Sequence, residues 1–379
     1  MNICKTERDS AKAKTGCRWR PVYLCALLIW APLATAAPPV AVPAEQDVLY
    51  EIKGDIWRDS ADGVVDKPTA GLLGRAETAL RAFHQSGDPR RLGEAQILLN
   101  GVAKAQRGAR YYELEARTAQ SLHRFDDAMV AIDMALRQQP EAVALHLLKY
   151  SIALVRLDMD TARVACAAIP STSSYASGCR YQLELHSAGD AGAAESFNEL
   201  KQLLMSAVVA GDAVAPWLAV TLADAGERRA LGDPVALWQL AVKLDDSDLY
   251  ARSRLCDAAL YAGDPEQALE VSRGFDHIDT LALCHAEALE QSVDRVASGE
   301  AEERRLHRLQ AYLAERFAEA EWRGEALHKR AQARYLLRIA ERPVEALVLA
   351  EANWAEQKEL PDWRLLEEAR RAVGREGAP

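Results

Sequence analysis

The chain has 379 residues, room for one to three domains, and 49% of them are apolar, enough for a long continuous core. Aromatic residues make up only 6%, while alanine and leucine dominate, which favours close-packed helices over a β-sandwich. The formal net charge is −10; residues 1–36 carry +4, so the rest of the chain carries −14, and such an acidic body repels phosphate and excludes nucleic acid as a natural partner.

The first twenty residues are basic and polar, and residues 22–33 (VYLCALLIWAPL) form an apolar run of signal-peptide length, too short to span a bilayer comfortably. Ala34-Thr35-Ala36 then supplies small side chains at the −3 and −1 positions a signal peptidase needs, which predicts a signal peptide over 1–36, cleaved after Ala36. The alternative is an uncleaved anchor. Cys25 follows Leu24 rather than a small residue, so it makes no lipoprotein cleavage box. The expected location of the mature chain is periplasmic. Beyond the leader lie four cysteines, Cys166, Cys179, Cys256 and Cys284. An even number in an oxidising compartment predicts two disulfides. Three connectivities are open, and the neighbouring pairs Cys166–Cys179 and Cys256–Cys284 close the shortest loops. The alternative is four buried free thiols at small-residue positions.

Residues 37–70 differ from the rest of the mature chain. Pro38, Pro39 and Pro43 give an extended start, 47–57 alternates weakly, and ADGVVDKP reads as a linker. From Pro68 onward the pattern is helical. A Gly-Asp turn recurs at Gly87-Asp88-Pro89, Gly189-Asp190, Gly232-Asp233-Pro234 and Gly263-Asp264-Pro265. Glycine permits the left-handed conformation that ends one helix, aspartate caps the next, and proline suits its first turn. His123-Arg124-Phe125 and Leu157-Asp158 hold the same place in their units. The predicted hairpins are 71–84 with 90–103, 109–122 with 126–138, 143–156 with 160–168, and 174–187 with 192–209. Two more are 216–230 with 235–244 and 249–261 with 266–273. The second helix of the 232–244 unit looks about a turn short. After 279 the pattern loosens into helices at 279–299, 301–320, 324–340, 343–357 and 362–373.

Residues 112–140 (YELEARTAQSLHRFDDAMVAIDMALRQQP) resemble one tetratricopeptide repeat, a helical hairpin of about 34 residues. Tyr112 sits where the first helix carries a large aromatic residue. Ala116 and Ala128 sit where two helices approach closely, and Pro140 closes the unit. Hairpins of this kind cannot bury their apolar faces alone and stack into a superhelix. The expectation is an all-α, tetratricopeptide-like α-solenoid of stacked helical hairpins over 71–278. A short extended N-terminal segment (37–70) precedes it, and degenerate C-terminal helical repeats (279–379) complete it.

Four further features, GDPRRLGEAQILL (87–99), SLHRFDDAMVAIDMAL (121–136), the Cys166 and Cys179 pair, and EANWAEQKELPDWRLLEEA (351–369), resemble a family of exported bacterial tetratricopeptide proteins. That resemblance implies a periplasmic solenoid. Genes of the family lie near membrane proteins of the hydrogenase/urease-accessory type, which implies a membrane protein as partner or a metal-related pathway.

Catalytic patterns are missing from the sequence. There is no GxSxG, HExxH, paired CxxC or Gly-rich phosphate loop, and the eight histidines are scattered. His277, Cys284 and His285 come nearest to a metal cluster, yet adjacent residues on a helix point about 100° apart. The pairs Asp126-Asp127 and Asp245-Asp246 fall at helix ends, where carboxylates cap donors. No catalytic residue, cofactor or metal ligand is expected. The inner helix of the 112–140 unit offers the more credible site. Arg110, Glu113, Arg117 and Gln120 (with Ser121 beside them) would line a concave face and hold an extended peptide by charge-assisted hydrogen bonds. The lysine–asparagine carboxylate clamp of one such repeat family is not supported, because Leu114 and Ser121 occupy two of its positions. The sequence therefore predicts a non-catalytic periplasmic scaffold binding a peptide or partner protein. Its rival is an accessory factor for a membrane metal transporter or metalloenzyme-maturation pathway.

Overall fold

A computed structural model describes residues 69–293, 300–322 and 329–376. Backbone contacts divide the chain into two units, Met1–Val65 and Asp66–Pro379, and every described residue belongs to the second. The predicted signal peptide and extended arm lie outside the described residues, apart from the arm's last two, Thr69 and Ala70, which begin the first helix.

Seventeen α-helices, α1 to α17, and one short 3-10 turn make up the described residues, with no strand among them. The first six hairpins pair α1 (Thr69–Ser86) with α2 (Arg90–Asn100), α3 (Ala109–Ser121) with α4 (Phe125–Leu136), α5 (Val143–Val155) with α6 (Met159–Ala167), α7 (Ser174–Ser187) with α8 (Asp190–Ala210), α9 (Ala215–Arg228) with α10 (Pro234–Leu244), and α11 (Leu249–Ala262) with α12 (Pro265–Ser272). Two further hairpins join α13 (Asp279–Val293) to α14 (Glu300–Trp322) and α15 (Lys329–Arg338) to α16 (Pro343–Glu356); α17 (Leu360–Glu376) closes the stack. Most odd-numbered helices also pack on the next odd-numbered helix, as α1 does on α3, α7 on α9, α11 on α13 and α15 on α17, and hydrogen bonds join α5 to α7 and α9 to α11. The odd-numbered helices form one layer and the even-numbered helices the other. This is the all-α, tetratricopeptide-like solenoid expected from the sequence.

Local chemistry explains where the helices turn. Gly87, Gly232 and Gly263 adopt left-handed φ values of 63°, 77° and 75°. His123 and Leu157 take the same conformation, each at φ 57°, in the hairpins that lack the glycine. The following aspartates cap as expected: Asp158 accepts from the Thr161 amide, Asp233 from Val235, and Asp264 from Gln267. Each such cap contributes about 1 kcal/mol. Gly189 departs from the pattern. Its φ is −66°, because it lies before the first turn of α8 rather than after the last turn of α7. The second helix of the 232–244 unit is not the shortest: α10 has 11 residues and α12 only 8. The last helix begins at Leu360 and runs to Glu376, longer than the predicted 362–373, since Pro361 sits in its first turn where its missing N–H has no partner to lose.

Small residues set the spacing. Ala116, Ala128, Ala135 and Ala162 are fully buried between helices. At Gly178 on α7 an added Cβ would lie 2.6 Å from the Trp217 ring and 2.7 Å from Leu218, so only glycine permits that approach to α9. The larger core side chains are Tyr111, Tyr150 and Trp238, all buried. Tyr150 keeps its hydroxyl satisfied by donating to Gln182 Oε1 at 2.7 Å, which links α5 to α7. Both expected cysteine pairs are bonded. Cys166–Cys179 joins α6 to α7 with Cα atoms 5.9 Å apart, and Cys256–Cys284 joins α11 to α13 at 6.3 Å.

Candidate binding cleft on the inner layer

The odd-numbered helices carry charge into the interior, and the charges meet in pairs. Glu227 on α9 accepts from the Trp238 indole N–H at 2.8 Å, from Arg254 on α11 at 2.6 Å and from Arg364 on α17 at 2.5 Å. Burial alone would push the Glu227 carboxyl up, but Arg254, the indole and Arg364 hold it below the usual range. Glu287 on α13 accepts two bonds from Arg334, at 2.6 and 2.8 Å, and one from Arg338 at 2.7 Å. Burial opposes its ionisation too, and again the two guanidinium groups prevail. Arg334 also reaches Asp257 on α11, and Arg338 reaches Glu368 on α17. Such buried networks add little net stability against an apolar core, yet losing one member costs several kcal/mol. They therefore select one arrangement of the inner helices over others.

The segment between α16 and α17 crosses this layer in extended form. The Lys358 amide donates to the Val155 carbonyl at the end of α5, 2.7 Å away. Gln357 Nε2 lies 2.5 Å from His123 Nδ1 in the α3–α4 turn. The Tyr250 hydroxyl on α11 donates to Glu359 at 3.0 Å. Arg330 donates to Glu359 and grips Asp362 through two bonds. The end of the chain thus docks on its second, third and sixth hairpins, and the superhelix closes on itself. At the other end, the α1–α2 turn meets the sixth and seventh hairpins, since a Cβ added at Gly87 would collide with Ile278 and contact Leu249.

Between these closures lies a cleft of about 750 Å³, walled by α1, α3, α11, α13, α14 and α15. Leu80, Phe83, Leu249 and Ile278 make an apolar part of its lining. His84 on α1 and Asp248 just before α11 both line it. Desolvation at the cleft wall, reinforced by Arg117, holds the exposed His84 below its ordinary value against the attraction of Asp248. Burial raises the Asp248 carboxyl, although it caps α11 by accepting from the Ala251 amide.

Of the residues expected at a binding face, Arg117 lines this cleft. Arg110 instead ties the first two hairpins together by bridging Glu77 on α1 at 2.7 Å, and Glu113 pairs with Arg110 at 2.6 Å within α3. Gln120 is half-buried on α3 and Ser121 half-buried at its end. Cys284 is bonded to Cys256, and the buried His285 presents Nδ1 to Ser272 Oγ at 2.8 Å. Among the described residues no group of three or more His, Cys, Asp or Glu side chains is placed to hold a metal ion. His123, in the α3–α4 turn, meets Gln357. Trp354 is half-buried against Ala350 and Leu365, whereas Trp363 is 49% exposed. Sequence reasoning missed Tyr250, Arg254, Arg330 and Glu359. Their association spans about a hundred residues of chain, and no local spacing signals it.

No family description matches the chain, and no curated protein matches it. Among solved structures it is similar to the TPR domain of P58(IPK), with 14% identity, 82% of this chain and 99% of that one covered, and a TM-score of 0.26. A TM-score that low supports nothing about function. The solenoid is read from the hairpins themselves. No described helix is long and apolar enough to cross a membrane.

Proposed function

We propose that the protein is a non-catalytic scaffold, exported to the periplasm, that holds an extended segment of a partner protein in the inner cleft. Stacked helical hairpins of this kind serve generally as protein-interaction scaffolds. One observation carries the reading further: a cleft of about 750 Å³ built jointly by the first two hairpins and by α11, α13, α14 and α15. That volume falls in the range of specific ligand sites, and its lining mixes apolar side chains with a few placed polar groups. Main-chain bonding of an extended segment on the inner layer already occurs within the molecule, between Lys358 and Val155. The partner class includes the exposed loops of a membrane protein.

The test is affinity capture from periplasmic extract with the mature chain, followed by mass spectrometry. A defined partner should be retained by the native protein and lost when Gln85→Trp, at an exposed lining position, obstructs the cleft. Retention unchanged by that substitution would remove the cleft from the reading. N-terminal sequencing of the exported protein should begin at Ala37.

A further inference from the structure

We propose that the cleft takes an extended acidic segment, its carboxylates drawn by Arg81, Arg117 and Arg254. This rests on the scaffold reading and names the chemistry of its ligand. The first support is unmet hydrogen-bonding capacity. Each carboxylate lining the cleft already has a partner within the protein: Glu77 has Arg110, Asp257 has Arg334, Asp279 has Arg316, Asp248 caps α11, and Asp245 accepts from Ser247. The arginines are less well matched. Arg81 and Arg117 make only distant pairs, at 3.7 and 3.6 Å, to Glu77 and Glu113, and both of those carboxylates have Arg110 closer. Arg254 is 2% exposed and lines the cleft, yet its Nε and Nη1 have no hydrogen-bond partner. Glu227 engages only its Nη2, and the Nη1 contact with Asp257 is a 3.5 Å ion pair. Buried guanidinium N–H groups left this way favour an incoming carboxylate, whose geometry matches theirs.

The second support is a precedent inside the chain. Tyr250 and Arg330 both line the cleft, and both bind Glu359 of the extended α16–α17 connector. The wall of the cleft therefore already receives one acidic side chain from an extended backbone. Alternate residues of an extended segment point to opposite sides. Acidic residues alternating with aliphatic ones would meet the arginines on one side and Leu80, Phe83 and Leu249 on the other.

Fluorescence polarisation with the mature, disulfide-intact chain tests this with two labelled hexapeptides, one alternating Glu and Leu and the other Lys and Leu. The Glu/Leu peptide should bind at least tenfold tighter than the Lys/Leu peptide. Its affinity should fall at least tenfold in R81E/R117E, and fall further at high salt. Both arginine side chains are substantially exposed, at 63% and 47%, so the double variant should keep its melting curve. Equal binding of the two peptides, binding of neither, or undiminished binding by R81E/R117E overturns the proposal. If partner capture from extract succeeds and R81E/R117E leaves it unchanged, the scaffold stands and the acidic ligand falls; if capture itself fails, the scaffold reading falls.

Discussion

Arg364 in the last helix donates to Glu227, 137 residues earlier, and the glutamate that receives it is 3% exposed. The same carboxylate holds Trp238 and Arg254. A single acidic side chain thus ties α9, α10 and α11 to the terminal α17. Replacing Glu227 with alanine leaves three donors without their acceptor and the buried Arg254 guanidinium less compensated. The expected loss is about 3–5 kcal/mol, measured by urea unfolding. Arg364→Ala removes only the tie to α17, whose arginine is partly exposed, and should cost less than Glu227→Ala. Equal costs would mean that the closure, not the burial of charge, dominates.

Gly178 offers a test of packing in which propensity and sterics disagree. Alanine in a helix interior ordinarily stabilises by about 1 kcal/mol relative to glycine. Here the new methyl group would press on Trp217 and Leu218, and Trp217 is itself packed edge-on against Tyr175 with ring centroids 5.2 Å apart. Gly178→Ala should therefore destabilise by about 1–3 kcal/mol in a thermal or urea melt. A gain in stability would show that α7 and α9 can separate without cost.

The disulfides should differ in effect. Cys256–Cys284 spans 28 positions and Cys166–Cys179 spans 13. Loop closure in the unfolded chain predicts contributions of about 3.5 and about 3 kcal/mol. Non-reducing mass spectrometry of exported protein should show the loss of four hydrogens. Replacing Cys256 and Cys284 together with serine should lower stability slightly more than replacing Cys166 and Cys179. A reversed order would point to native-state contributions beyond chain entropy.

Buried histidines make acid weaken the fold. Burial, with Arg228 and Arg229 nearby, pushes His186 down to about 4. Burial likewise lowers His285. An unfolded histidine titrates near 6.5, so between about pH 6.5 and 4 the unfolded chain binds more protons than the folded one and stability declines as pH falls. Below that window, Glu227 and Glu287, held below their usual range by arginine, add a second decline. Asp224, Asp248 and Asp362, raised by burial, act in the opposite sense. The histidine part should therefore be read by difference: His186→Gln should flatten the fall of melting temperature between about pH 6.5 and 4 relative to the native chain. An unchanged slope in the variant would assign it to other groups.

Most of the helical framework was legible in the residues. The predicted hairpins match the observed helices within a few positions, because glycine, aspartate and proline at the turns act over one or two residues. His123 and Leu157 could be placed at turns without glycine because the spacing of their neighbours demanded one, and both have positive φ. The cysteine pairing was likewise within reach, since the shortest loops in sequence join helices that are also neighbours in space.

The site was legible only in part. Arg117 faces the cleft, but Arg110 is engaged in joining α1 to α3, which an isolated repeat cannot reveal because the partner, Glu77, belongs to the preceding hairpin. By itself, the sequence determined the local conformations: which stretches are helical, where each ends, and which small residues let neighbours approach. Tertiary structure alone decided that the superhelix closes, that Arg364 and Glu359 return to α9 and α11, and that a cleft remains between α1, α3 and the later inner helices. Curvature accumulates from small rotations at every hairpin interface, so where the two ends meet is a property of the whole stack and of no single stretch of residues.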